Sequence, residues 1–168
     1  MTKFRKPLFF TLCMMPVAFI GGCSAAVYAM QGMDENALET VIQQVGSKEI
    51  VILITTIQTV IYAVICGFWG YIIADKIGLI RPFQLAKKET LTTLLAGAIG
   101  GITISADAFT FAKWIPELSK TYETSNTFDA PTWIASILYG GIIEEVMMRL
   151  FLMSLLALIG WKLFCRKE

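Results

Sequence analysis

The chain contains no histidine. That removes the commonest general base near neutral pH and the commonest zinc ligand, so any acid–base chemistry must rest on carboxylates. Charge is scarce too: 16% of the 168 residues are Asp, Glu, Lys or Arg, and the formal net charge is +1. No long basic run marks a nucleic-acid footprint, and no nucleic-acid partner is expected. The four cysteines include no C-x-x-C pair, so neither a redox motif nor a zinc ribbon is legible. Cys13, Cys23 and Cys66 fall inside apolar stretches and read as small hydrophobes, and Cys165 stands among basic residues. No cofactor or metal set is evident. Internal repeats, low-complexity tracts and long polar domains are missing as well.

What remains is apolar. At 56% hydrophobic residues the composition exceeds that of an ordinary soluble domain, and the expected fold class is all-α, an integral membrane bundle of about four transmembrane helices. A membrane span needs about 20 mostly apolar residues. Four stretches qualify, approximately 8–30, 50–74, 91–112 and 133–161. They are read as a single membrane domain joined by polar connections with turn residues such as Gly32, Gly46, Gly78 and Pro82.

Lys and Arg favour cytoplasmic loops. Lys3, Arg5 and Lys6 begin the chain, Lys76, Arg81, Lys87 and Lys88 fill the second connection, and Lys162, Arg166 and Lys167 end it. The first connection has Lys48 against Asp34, Glu35, Glu39 and Glu49, and the third has Lys113 and Lys120 against Glu117, Glu123 and Asp129. Both termini are expected to be cytoplasmic, and the protein to be a multi-pass component of a cell membrane in contact with the lipid bilayer. A basic start followed by Ile20-Gly21-Gly22-Cys23 also resembles a lipoprotein signal with a lipidated cysteine. Apolar residues continue through Met30, which favours an uncleaved helix.

In the third span Gly97 and Gly101 form a G-x-x-x-G pair beside Ala96 and Gly100, a face stripped of bulk against which another helix can pack. Thr55, Thr56, Gln58 and Thr59 in the second span are expected to hydrogen-bond across helices. Asp107 lies near the outer end of the third span, where a carboxylate reaches water at little cost.

The fourth span carries the chemistry. Asp129 precedes Pro131 as a candidate N-cap, and Trp133 and Trp161 stand 28 positions apart. At α-helical rise that is about 42 Å, close to a bilayer with its headgroups, so the tryptophans read as interfacial anchors. Glu144 and Glu145 then lie about 17 Å from the first anchor, inside the hydrocarbon zone, where a charge costs roughly 2.5–3.5 kcal/mol. Glu145 and Arg149 are four apart and can pair. Glu144 points about 100° away, with Met148 at its own i+4 position. It is the carboxylate left to take a proton from water and return it. Gly140 and Gly141 leave room beside these faces for a water or a peptide. The reading requires Glu144 to be held in a polar hollow among packed helices, shut off from lipid.

Glu144-Glu145-x-x-x-Arg149, preceded by Gly140-Gly141-Ile142-Ile143 and followed by Leu150-Phe151-Leu152, resembles the first motif of the CPBP family of intramembrane proteases. That family comprises the CAAX-processing endopeptidases and the bacterial Abi proteins. The resemblance implies a multi-spanning endopeptidase in which Glu144 is the general base, Glu145 its supporting partner and Arg149 the residue that holds the carboxylates, with a peptide or protein as substrate. The family's second and third motifs, Phe-x-x-x-His and His-x-x-x-Asn/Asp, lie downstream of the first. This chain carries one motif of the three, so it is either the N-terminal part of a larger protease domain, the reading favoured here, or a natural short relative that has lost hydrolysis, and in both cases it is expected to be inactive in hydrolysis by itself. Two other classes compete: a non-catalytic immunity or scaffold protein that associates through Gly97 and Gly101, and a small proton-coupled transporter.

Overall fold

A computed structural model describes residues 4–80, 87–110, 114–115 and 129–164. Most of the described residues are helical, with no strand among them. The helices are α1 (Arg5–Gln31), α2 (Glu35–Val45), α3 (Lys48–Lys76), α4 (Lys87–Thr110) and a last helical run over 130–164, here α5. The chain forms two compact units, one of Met1–Arg81 with Phe128–Glu168 and one of Pro82–Thr127.

Within the first unit α1, α3 and α5 pack side by side. Gly22 of α1 meets Thr56 and Thr59 of α3, while Gly67 meets Phe10 and Thr11, so α1 and α3 are antiparallel. Gly21 meets Leu138 and Tyr139 of α5, and at the other end of this contact the Gln31 amide donates to Asp129 Oδ2 at 2.8 Å. Those two contacts make α1 and α5 antiparallel too. It follows that α3 and α5 run parallel, with Gly70 of α3 against Leu150 and Phe151.

Small residues make this packing possible. The buried positions of α3 are Thr56, Thr59, Ala63, Gly67, Gly70 and Ala74, a three–four spacing that draws one stripe along the helix. On α1 the stripe is Pro7, Thr11, Ala18, Gly21, Gly22 and Ala26. Ala18, Ala63 and Ile143 are fully buried where the three helices meet. Close backbone approach through Gly, Ala and Thr is the packing mode of helices that have no hydrophobic drive between them. The large residues point the other way: Leu8, Phe9, Phe19, Leu53, Ile54 and Ile61 are all exposed. By length and apolarity α1 and α3 are each able to cross a membrane, while the apolar part of α4 is the shorter stretch Thr90–Thr103.

The ends of α3 explain its length. Ser47 Oγ accepts from Ile50 N at 3.4 Å at its start. At its end Gly78 adopts φ +72°, Leu79 N donates to the Ala74 carbonyl at 2.9 Å and Gly78 N to the Asp75 carbonyl at 3.2 Å, the paired bonds of a Schellman cap.

Several expectations change. The first connection contains α2, with Leu38, Val41, Ile42 and Val45 half-buried along one side. Asp129 does not cap α5 with its side chain, because its carboxylate accepts from Gln31 instead. The hydroxyls of α3 turn mainly inward along their own helix: Thr56 donates to the Ile52 carbonyl and Thr59 to the Thr55 carbonyl. Gln58 donates to the Tyr62 hydroxyl. Thr56 alone of these reaches another helix, at Cys23 Sγ, 3.3 Å away. Within its own unit α4 has open space beside Gly97, Gly100 and Gly101. Pro82, Cys165 and nearly all of the third connection lie outside the described residues, as does the side chain of Asp107.

Candidate functional site

The run 130–164 is not one regular α-helix. Ala130–Ile134 and Ser154–Phe164 are α-helical, whereas Ala135–Ile143 and Val146–Met153 are π-helical. Around the glutamates the wide winding is seen directly, with Glu144 N donating to the Tyr139 carbonyl five residues back. A π turn holds more residues than an α turn and gains less length per residue, so α5 is shorter than the 42 Å estimated for a pure α-helix. Such segments are rare and recur at functional sites. Glu144 (φ −62°, ψ −37°) and Glu145 (φ −62°, ψ −40°) themselves have ordinary helical dihedrals.

The face of α5 that packs on α1 and α3 is made by Ala135, Ile143, Val146 and Ser154. Glu144 and Glu145 flank this stripe on opposite sides and open into different cavities.

Glu145 accepts from Arg149, with Nε 2.9 Å from Oε2. Both line a cavity of about 560 Å³ together with Phe10, Met14, Tyr71 and Ser154. The expected i,i+4 pair is formed. It sits on the surface of its unit, however, with the Arg149 and Glu145 side chains 78% and 46% exposed. Arg149 reaches Glu145 and leaves Glu144 alone.

Glu144 lines a second cavity, of about 360 Å³, bounded by α1, α3 and α5. Tyr28, Thr55, Ser136 and Tyr139 line it with Ala25, Ala29, Ala135 and Gly140, and its wall is largely apolar; the Ser136 hydroxyl donates to the Thr132 carbonyl of its own helix at 2.8 Å. Gly140 has nothing within 4 Å of the place a Cβ would occupy, so the expected open space beside Glu144 is present. The expected enclosure is not. Glu144 is exposed, because the buried stripe of α5 is its small and aliphatic one and the carboxylate stands at that stripe's edge. Among the described residues it has no ion-pair partner. Chemically the arrangement is an exposed, unpaired carboxylate at the end of a largely apolar groove, able to hold water or a cationic group.

Ser136, Gly140 and Glu144 repeat at i+4 and so were open to recognition as one face. Tyr28 and Thr55 come from other helices and carry no local signal. Among the described residues no three His, Cys, Asp or Glu side chains converge as a metal site would require. Comparison with family models, with curated proteins and with solved structures finds no match to this chain.

Proposed function

We propose that the chain is the glutamate-bearing part of a CPBP-type intramembrane endopeptidase, embedded as a four-span, multi-pass bundle with both termini cytoplasmic. The observation that carries the reading is the division of labour between neighbouring carboxylates: Glu145 is tied to Arg149 at 2.9 Å, while Glu144 meets an open cavity. In this reading Glu144 takes a proton from a water molecule as the oxygen attacks the peptide carbonyl. The same carboxyl then returns the proton to the departing amine. Glu145 and Arg149 fix the winding and orientation of the helix that presents Glu144. The family's site also uses histidines, of which these 168 residues have none, so in this reading they bind a peptide but do not hydrolyse it by themselves.

The membrane setting is supported by the large exposed side chains of α1 and α3, which a helix in the core of a soluble protein would bury. Connectivity supports four spans. Parallel α3 and α5 can both cross a bilayer only if the chain returns between them, and α4 falls in that interval, its apolar stretch Thr90–Thr103 extending about 21 Å at α-helical rise.

The test has two parts. Sequencing onward through codon 168 should reveal Phe-x-x-x-His within the next two spans. Membranes carrying that full reading frame should cleave a membrane-tethered reporter peptide, and Glu144→Gln should slow cleavage about 10²–10⁴-fold, the range typical of losing a general base. A frame without the motif, or cleavage indifferent to Glu144→Gln, refutes the reading.

A further inference from the structure

The cavity beside Glu144 has features that water activation alone does not use. Its volume of about 360 Å³ is many times the roughly 30 Å³ share of one liquid water and lies within the range of pockets that hold small organic ligands. Tyr28 and Tyr139 both line it, and an aromatic face attracts an organic cation as a carboxylate does. Neither Tyr139 nor Thr55 has a side-chain hydrogen bond among the described residues, so both hydroxyls are available to a ligand.

Charge complementarity extends beyond the cavity. It lies at the end of the unit where α1 finishes and α5 begins, the end that carries Asp34, Glu35, Glu39 and Asp129. Lys48, at the start of α3, is the basic residue described at this end, against Asp34, Glu35, Glu39, Glu49 and Asp129. An approach with a strong excess of one sign of charge concentrates the opposite ion at its mouth. A bare metal ion would use the carboxylate and leave most of the volume and both rings idle. An anion would meet Glu144 with no cation beside it.

We propose that the cavity formed by Tyr28, Thr55, Ser136, Tyr139 and Glu144 is a binding site for a small organic ammonium ion. The ammonium nitrogen meets the Glu144 carboxylate, and its carbon substituents lie against the tyrosine rings and Ala25, Ala29 and Ala135. The inference goes beyond hydrolysis and does not depend on it, since binding is read on the 168-residue chain, which lacks histidine.

The test is calorimetric titration of the purified chain in detergent micelles with benzyltrimethylammonium chloride, against sodium chloride at equal ionic strength. The native chain and Asp75→Asn, which removes an equal charge from an exposed position at the opposite end of α3, should bind the ammonium saturably with the same affinity. Glu144→Gln should weaken binding at least tenfold. Gly140→Phe, whose side chain enters open space, should abolish binding while keeping the carboxylate, and it decides the matter if Glu144→Gln fails to fold. Absence of saturable binding by the native chain, equal binding by Glu144→Gln, or equal binding by Gly140→Phe overturns the proposal. Peptide cleavage by the full reading frame is read separately, so either idea can fail alone.

Discussion

Gly70 is where α3 and α5 come closest, and replacing it by alanine tests the three-helix packing on which both cavities depend. A Cβ built there would lie 3.0 Å from the Phe151 Cα and N and 3.1 Å from the Leu150 carbonyl carbon. All three are backbone atoms, so no side chain can swing aside and the helices must separate by several tenths of an ångström. Two effects oppose each other. Alanine gains about 1 kcal/mol over glycine in helix propensity, while forcing atoms into a close-packed contact costs typically 1–3 kcal/mol. Overpacking therefore wins at Gly70 by up to about 2 kcal/mol. Gly160 provides the comparison, because a Cβ there meets nothing within 4 Å and only the propensity gain applies. Unfolding in mixed micelles, followed by circular dichroism, should show Gly70→Ala less stable than the native chain and Gly160→Ala equal to it or more stable. If both substitutions shift the midpoint alike, the α3–α5 contact described here is wrong.

Three further outcomes are expected. Gly78→Ala forces a positive-φ Schellman cap onto an L side chain and should cost about 1–2 kcal/mol in the same unfolding assay, whereas Gly100→Ala should not. Ile143→Ala opens a cavity where α1, α3 and α5 meet, and a loss of roughly 2–5 kcal/mol is expected. In the membrane setting proposed above, Arg149→Ala leaves Glu145 unpaired among acyl chains, a penalty of order 2.5–3.5 kcal/mol for an unpaired central charge. It should therefore lower the yield of folded protein in membranes more than Glu144→Ala does, and Glu145→Gln added to Arg149→Ala should restore that yield.

The long helices were legible because apolarity and length are local. The expected 8–30 and 50–74 fall inside the observed Arg5–Gln31 and Lys48–Lys76, which are longer because Ser47 and Gly78 cap α3 beyond its apolar stretch. The helix α2 was hidden by a search for spans, although Leu38, Val41, Ile42 and Val45 spell its half-buried side. The Glu145–Arg149 bond was legible from i+4 spacing, and the separation of Glu144 from it from the angle between adjacent helix positions. The π winding was not, since no residue pattern announces it: Val146–Met153 winds wide without a glycine. Nor was the exposure of Glu144. Whether a face is buried is decided by the neighbouring helices, here by Gly21 and Gly70, which draw α5 in along a different stripe.

Water at position 144 is the point on which the account turns. It can be measured in proteoliposomes on a chain with Cys13, Cys23, Cys66 and Cys165 replaced by serine, comparing Glu144→Cys with Met153→Cys, a position exposed on the surface of the bundle. A charged, membrane-impermeant methanethiosulfonate should modify position 144 rapidly and from one side of the membrane, and leave position 153 almost untouched. Equal inertness at the two positions would mean that Glu144 faces acyl chains, which contradicts both the catalytic and the ligand-binding reading.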